Sequence, residues 1–70
     1  MNMRIPKYYR ISREIIENIR TGELKPGMQV PSENEIIREY GVSNTTARKI
    51  HQEIESSGWA TRIKGRGTFV

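Results

Sequence analysis

The chain contains no cysteine, so neither a disulfide nor a thiolate metal site can stabilise it. It has no apolar run near the roughly 20 residues of a membrane span, and its N-terminus lacks the apolar stretch of a secretory signal. With 70 residues there is room for one domain, whose core supplies only about 3–5 kcal/mol. These absences predict a small cytoplasmic domain that does not span a membrane.

The residue groups that carry catalysis are also scarce. His51 is the single histidine, and it lies on an apolar helical stripe, which favours a partly buried core residue over a catalytic or metal-binding one. No two carboxylates are placed to share an apolar pocket for acid–base chemistry. No glycine-rich loop opens a helix to hold a phosphate. We therefore predict that the protein is not an enzyme and uses no cofactor and no metal.

The balance of charge is basic. Twelve lysines and arginines stand against eight carboxylates, giving a formal net charge of +4 that favours an anionic partner, either nucleic acid or a membrane surface. Arg4, Lys7, Arg10 and Arg13 all precede the first acidic residue. We interpret residues 1–7 as a basic arm before a domain over 8–70. Charge alone does not separate a nucleic-acid partner from an ordinary solvated surface.

Apolar periodicity predicts three helices over residues 8–21, 33–40 and 44–57. Ser32 and Glu35 have the spacing of a capping box at the second helix, and Ser43 can cap the third. From Trp59 onward the apolar period becomes that of a strand, followed by the turn "KGRG" and a return strand through Val70. A very short strand is also expected near residues 28–30. The fold class is mainly α with a small β hairpin.

Two helices joined by the short turn "GVS" match a helix-turn-helix, whose second helix enters the major groove. Asn44, Thr45 and Arg48 would then face base edges, because asparagine pairs well with adenine and arginine with guanine. We expect further residues to contact phosphates beside the helix N-termini. These are Ser32, Ser43, Thr46 and Lys49, with Lys7 and Arg10 as added backbone contacts. The alternative is a merely solvated polar face.

Lys64, Gly65 and Arg66 lie at the tip of the expected hairpin. A basic tip of this kind can enter a minor groove, whose narrow A·T stretches attract lysine and arginine. A solubilising turn would explain the cations and glycines separately. It would not explain their position directly after a helix-turn-helix, so the two features together favour sequence-specific binding of double-stranded DNA.

The motifs G-x-L-x-P-G, P-S-E, G-V-S-x-T-T-x-R and G-R-G-T-F-V, spread over about Tyr8 to Val70, closely resemble the N-terminal domain of GntR-type bacterial transcription regulators. The resemblance implies a winged helix-turn-helix of three helices and a two- to three-stranded wing. It also implies a homodimer bound to a palindromic operator, and a C-terminal effector domain, absent from this chain, that binds a small molecule.

The chain departs from the family pattern at three positions. Asn34 and Asn44 stand where the family commonly has an arginine that reaches DNA, whereas the third such arginine is kept as Arg48. The family's wing tip corresponds to residues 64–66. His51 stands where leucine is usual. We infer that the operator differs from the family's common pattern at the base under Asn44.

A second function class stays open from the sequence alone. Some winged helices bind proteins, and fold does not imply function. The contact surface would then be the acidic second helix, with Glu33, Glu35 and Glu39. RNA binding is disfavoured because the aromatic side chains mostly fit core positions and leave no stacking platform. The aromatic residues are Tyr8, Tyr9, Tyr40, Trp59 and Phe69.

Overall fold

A computed structural model describes residues 5–70, so the first four residues of the predicted basic arm lie outside the described part. The elements run in the order α1 (Lys7–Thr21), α2 (Glu33–Tyr40), α3 (Asn44–Ser56), β1 (Thr61–Ile63) and β2 (Gly67–Phe69). The predicted order of three helices and a terminal hairpin is confirmed. Helix α1 begins one residue earlier than predicted, and α3 ends one residue sooner.

Side-chain caps fix where the two helices of the helix-turn-helix begin. The Ser32 hydroxyl accepts from the backbone N–H of Glu35 at 3.1 Å, and the Glu35 carboxylate accepts from the N–H of Ser32 at 2.8 Å. This reciprocal pair is the predicted capping box. Ser43 caps α3 by accepting from the N–H of Thr46 at 3.2 Å. Between the helices Gly41 has a φ of 66°, a left-handed conformation that ends α2.

The strands β1 and β2 pair antiparallel, with Arg62 opposite Thr68. Residues 28–30 run beside β2 without forming a full strand. The N–H of Val30 donates to the Thr68 carbonyl at 2.8 Å, and the N–H of Val70 donates to the Met28 carbonyl at 2.9 Å. The predicted early strand is thus present only as a single bridge from Gln29 to β2. The two-stranded sheet and this bridged segment together form the wing beside the helices.

The core lies where α1 and α2 pack on α3. Ala47, Ile50 and Ile54 of α3 are fully buried, so the opposite face of this helix is left to solvent. Other buried apolar side chains come from α1, from α2 and from the segments that precede α2 and β1. They are Ile11, Ile15, Ile16, Ile19, Val30, Ile36 and Ala60.

The expectation that the aromatic residues fit core positions is wrong for two of them. Trp59 is 43% exposed and Tyr9 is 38% exposed. Strand alternation explains the tryptophan, because Ala60 takes the inward position at 5% exposure and its neighbours therefore face outward with Ile63. Within residues 5–70, no helix has both the length and the apolar character needed to cross a membrane.

Candidate nucleic-acid interface

The first turn of α3 presents a polar, solvent-facing surface. Asn44 and Thr45 are exposed, while Ala47 in the same turn is buried and anchors the helix. The Ser43 hydroxyl accepts from the N–H of Thr46 and donates to its hydroxyl oxygen at 3.1 Å, so it serves mainly as a cap here. The side chains of Asn44 and Thr45 stand at the positive end of the helix dipole, where anions are favoured.

Arg48 lies one turn further along the same exposed face of α3. Together with Ser32 and Asn34 at the start of α2, it lines an open depression of about 560 Å³ between the helices and the wing. Three of the predicted contact residues, from two different helices, therefore share one surface. A guanidinium and a carboxamide on a common surface offer the donors and acceptors that base edges and phosphates require.

Lys49 is held by α1 rather than by the wing. Its Nζ lies 5.4 Å from the centre of the Tyr8 ring, within the range of a cation–π contact. The ring fixes the direction of this lysine without neutralising its charge. Lys49 is therefore placed at the edge of α3 nearest the N-terminal helix, apart from the depression that Arg48 lines.

The hairpin turn holds Lys64, Gly65 and Arg66 at the exposed end of the wing. The N–H of Arg66 donates to the Ile63 carbonyl at 2.9 Å, which closes the turn. Gly65 has a φ of 79°, which a side chain would strain. The Gln29 side chain donates to the Arg66 carbonyl at 3.4 Å and joins the turn to the segment over 28–30. The side chains of Lys64 and Arg66 therefore extend from a turn whose backbone is held by hydrogen bonds.

The cations of these surfaces are not neutralised by ion pairs within residues 5–70, where the one salt bridge joins Arg20 to Glu17 on α1. A hydrogen bond from Arg20 lowers the pKa of that carboxylate. Arg48, Lys49, Lys64 and Arg66 are all exposed. Their charges are thus free to meet phosphates, the main source of affinity in protein–DNA contacts.

Gln52 and Arg62 are among the residues outside the predicted set that line the same depression as Arg48. Gln52 follows Arg48 by four residues on α3. The spacing of Asn44, Arg48 and Gln52 in the sequence therefore already placed Gln52 on the same face of the helix. Arg62 lies on β1 at the inward side of the wing, the side that strand alternation shares with Ala60. Its approach to the helices depends on how the wing packs, which the local pattern does not specify.

The fold is a winged helix, with a helix-turn-helix in which α3 is the second helix and the hairpin is the wing. The family described as bacterial regulatory proteins of the gntR family matches residues 7–70. The chain belongs to this family.

Two relatives are transcriptional repressors from bacteria. The HTH-type transcriptional repressor NagR of Bacillus subtilis (strain 168) is 42% identical over 66 residues, which are 94% of this chain and 27% of NagR. The arabinose metabolism transcriptional repressor of Geobacillus stearothermophilus is 39% identical over 66 residues, again 94% of this chain and 18% of that protein. The chain therefore spans about a quarter or less of the length of these relatives.

Solved structures agree with the fold. The DNA-binding domain of AraR in complex with operator ORR3 has a TM-score of 0.89 and 36% identity, covering all of this chain and 84% of that one. The same domain with operator ORE1 gives a TM-score of 0.88 and 37% identity, over 97% of this chain and 83% of that one. Both neighbours were crystallised with operator DNA.

Proposed function

We propose that this chain is the DNA-binding domain of a bacterial transcriptional repressor. It binds a specific sequence of double-stranded DNA, with α3 in the major groove and the wing in the minor groove. One observation carries the proposal: α3 buries its apolar side against α1 and α2 while Asn44 and Arg48 stay exposed on the opposite side. The relatives that are repressors and the neighbours crystallised with operators support the same function.

The contacts divide by groove. Asn44, Thr45 and Arg48 meet base edges, and Asn34, at the start of α2, reaches the same groove from the side. Ser32, Ser43, Thr46 and Lys49 bind phosphates. Ser32 accepts from Glu35 as a cap, which leaves its hydroxyl hydrogen for a phosphate oxygen. Lys64, Gly65 and Arg66 enter the minor groove. Gln52 and Arg62 extend this surface along the depression.

The family resemblance and the greater length of the relatives support a proposal for the assembly. In a longer protein, a C-terminal domain would bind a small-molecule effector and join two copies, and the pair would bind a palindromic operator. Coupling two half-sites raises the effective concentration, so the domain alone binds more weakly than the dimer. The protein would act in the bacterial cytoplasm, where its operator lies, and it would have no enzymatic activity.

Selection of bound duplexes from a random pool tests the function. The native chain should enrich one motif, whereas Arg48→Ala should bind that motif with roughly 1–3 kcal/mol less free energy and lose preference at one base position. Thermal melting of both chains controls for folding. An unenriched pool would contradict the proposal, and an unchanged motif with Arg48→Ala would contradict the role of that side chain alone.

The protein-interaction alternative, through the acidic surface of α2, has less support. The carboxylate of Glu35 is already engaged as a cap, which leaves Glu33 and Glu39 to provide that surface. The net charge of +4 also favours an anionic partner. Failure to bind duplex DNA at any salt concentration would favour this alternative.

A further inference from the structure

The ring of His51 joins three parts of the fold through its two nitrogens. Nε2 lies 2.7 Å from the carbonyl oxygen of Pro31, in the segment just before α2. Nδ1 lies 3.5 Å from the hydroxyl oxygen of Thr68, on β2 of the wing. His51 itself belongs to α3 and is half-buried. A single side chain of α3 thus contacts both the segment that leads into α2 and the wing.

The partner atoms determine which nitrogen of the His51 ring carries the hydrogen. A carbonyl oxygen only accepts, so Nε2 carries a hydrogen and donates it to Pro31. Nδ1 can then only accept, so the single hydrogen of the Thr68 hydroxyl is donated either to Nδ1 at 3.5 Å or to the Glu55 carboxylate at 3.2 Å. Thr68 is only 3% exposed, so water does not readily replace these contacts. Pro31, His51, Thr68 and Glu55 thus form a partly buried polar cluster.

Within residues 5–70, the side-chain hydrogen bonds between the wing and α3 all involve Thr68, with His51 and Glu55 as partners. The main packing contacts run between α1 and α3, between α2 and α3, and between the two strands themselves. The backbone of β2 is tied to residues 28–30, not to a helix. An aliphatic side chain at position 51 could fill the same space, but it could not hydrogen-bond to Thr68. Hydrogen bonds are directional, so the histidine sets an orientation that apolar packing alone would leave looser.

We propose that His51 is a positioning residue, which holds the wing at a fixed place relative to α3 so that both grooves of DNA are engaged together. The inference rests on the proposed DNA-binding function. It assigns no direct DNA contact to His51. Its effect should therefore be confined to the contacts that the wing makes, chiefly those of Arg66, and should spare the contacts that α3 makes by itself.

A double-mutant cycle tests this role against the duplex selected above. In the native background, Arg66→Ala should weaken binding about tenfold. Combined with His51→Leu, the same Arg66→Ala change should cost less than about threefold, because the wing is already displaced. Arg48→Ala is the matched control, since it lies on α3 and should cost the same factor in both backgrounds. If His51→Leu only destabilised the fold, it would change the costs of Arg66→Ala and Arg48→Ala alike.

Thr68→Val removes the hydroxyl that faces both His51 and Glu55, so it tests the whole polar link between the wing and α3 where the leucine variant does not fold. It should reduce the cost of Arg66→Ala in the same way, and Thr68→Ser should restore that cost because it keeps the hydroxyl. An equal loss from Arg66→Ala in all backgrounds would overturn the inference. If neither arginine affects binding by the native chain, the proposed function fails first and the inference with it.

Discussion

Asn44 is the residue whose chemistry is most open to direct test. It is exposed in the first turn of α3, four residues before Arg48, and both stand on the side away from the buried Ala47 and Ile50. A carboxamide offers one acceptor and one donor to adenine, whereas a guanidinium offers only donors and suits guanine. The identity of this side chain should therefore determine one base of the recognised sequence without affecting the core.

Substitution of Asn44 by arginine should change the preferred base beneath it from adenine to guanine. If the added guanidinium reaches a phosphate and not a base, overall affinity should rise. The slope of log affinity against log salt should then steepen by about 0.9. Selection from a random pool with the native and Asn44→Arg chains provides the measurement. Identical motifs from the two chains would show that position 44 does not read a base.

The elements show which parts of the fold a sequence can specify. The helix starts at Ser32 and Ser43 were predictable because caps are local chemistry, and their hydrogen bonds are present. The outward position of Trp59 was not, because an alternating strand has two sides and only packing decides which one is buried. The bonds of His51 to Pro31 and Thr68 join residues far apart in sequence, so no local pattern indicates them.

Of the candidate contact residues, the sequence indicated the positions on α3 and at the wing tip through spacing and charge. The convergence of Arg48, Asn34 and Arg62 on one depression depends on how α2, α3 and the wing pack. Such convergence is tertiary information. This is why Arg62 was missed, although its alternation with Ala60 was visible in the strand pattern.

Ser32→Ala should destabilise the domain by about 1 kcal/mol, because it removes the acceptor for the Glu35 N–H and breaks the capping box. In a small domain this lowers the melting temperature by several degrees, roughly 4–8 °C. Ser32→Asp is the matched control, since aspartate keeps a capping acceptor and should melt close to the native chain. Equal melting temperatures for native and alanine chains would mean that the cap contributes no stability.

At the scale of the whole molecule, the cations of the candidate interface stay on the surface, and the apolar core lies between the three helices with Val30 and Ala60 beside them. Within residues 5–70, Arg48, Lys49, Lys64 and Arg66 are all exposed and none joins a salt bridge. Binding that uses such charges releases counterions from DNA, so its affinity falls steeply with salt. Sequence-specific contacts add a preference for one duplex over another, which persists as salt rises.

The affinity of the native chain for its selected duplex, measured against a scrambled duplex over a range of salt concentrations, tests the central claim most directly. With at least three cations engaged, the slope of log affinity against log salt should be steeper than about −2 for both duplexes. The selected duplex should remain the tighter ligand throughout. An affinity independent of salt, or equal for the two duplexes, would contradict specific DNA binding by α3 and the wing.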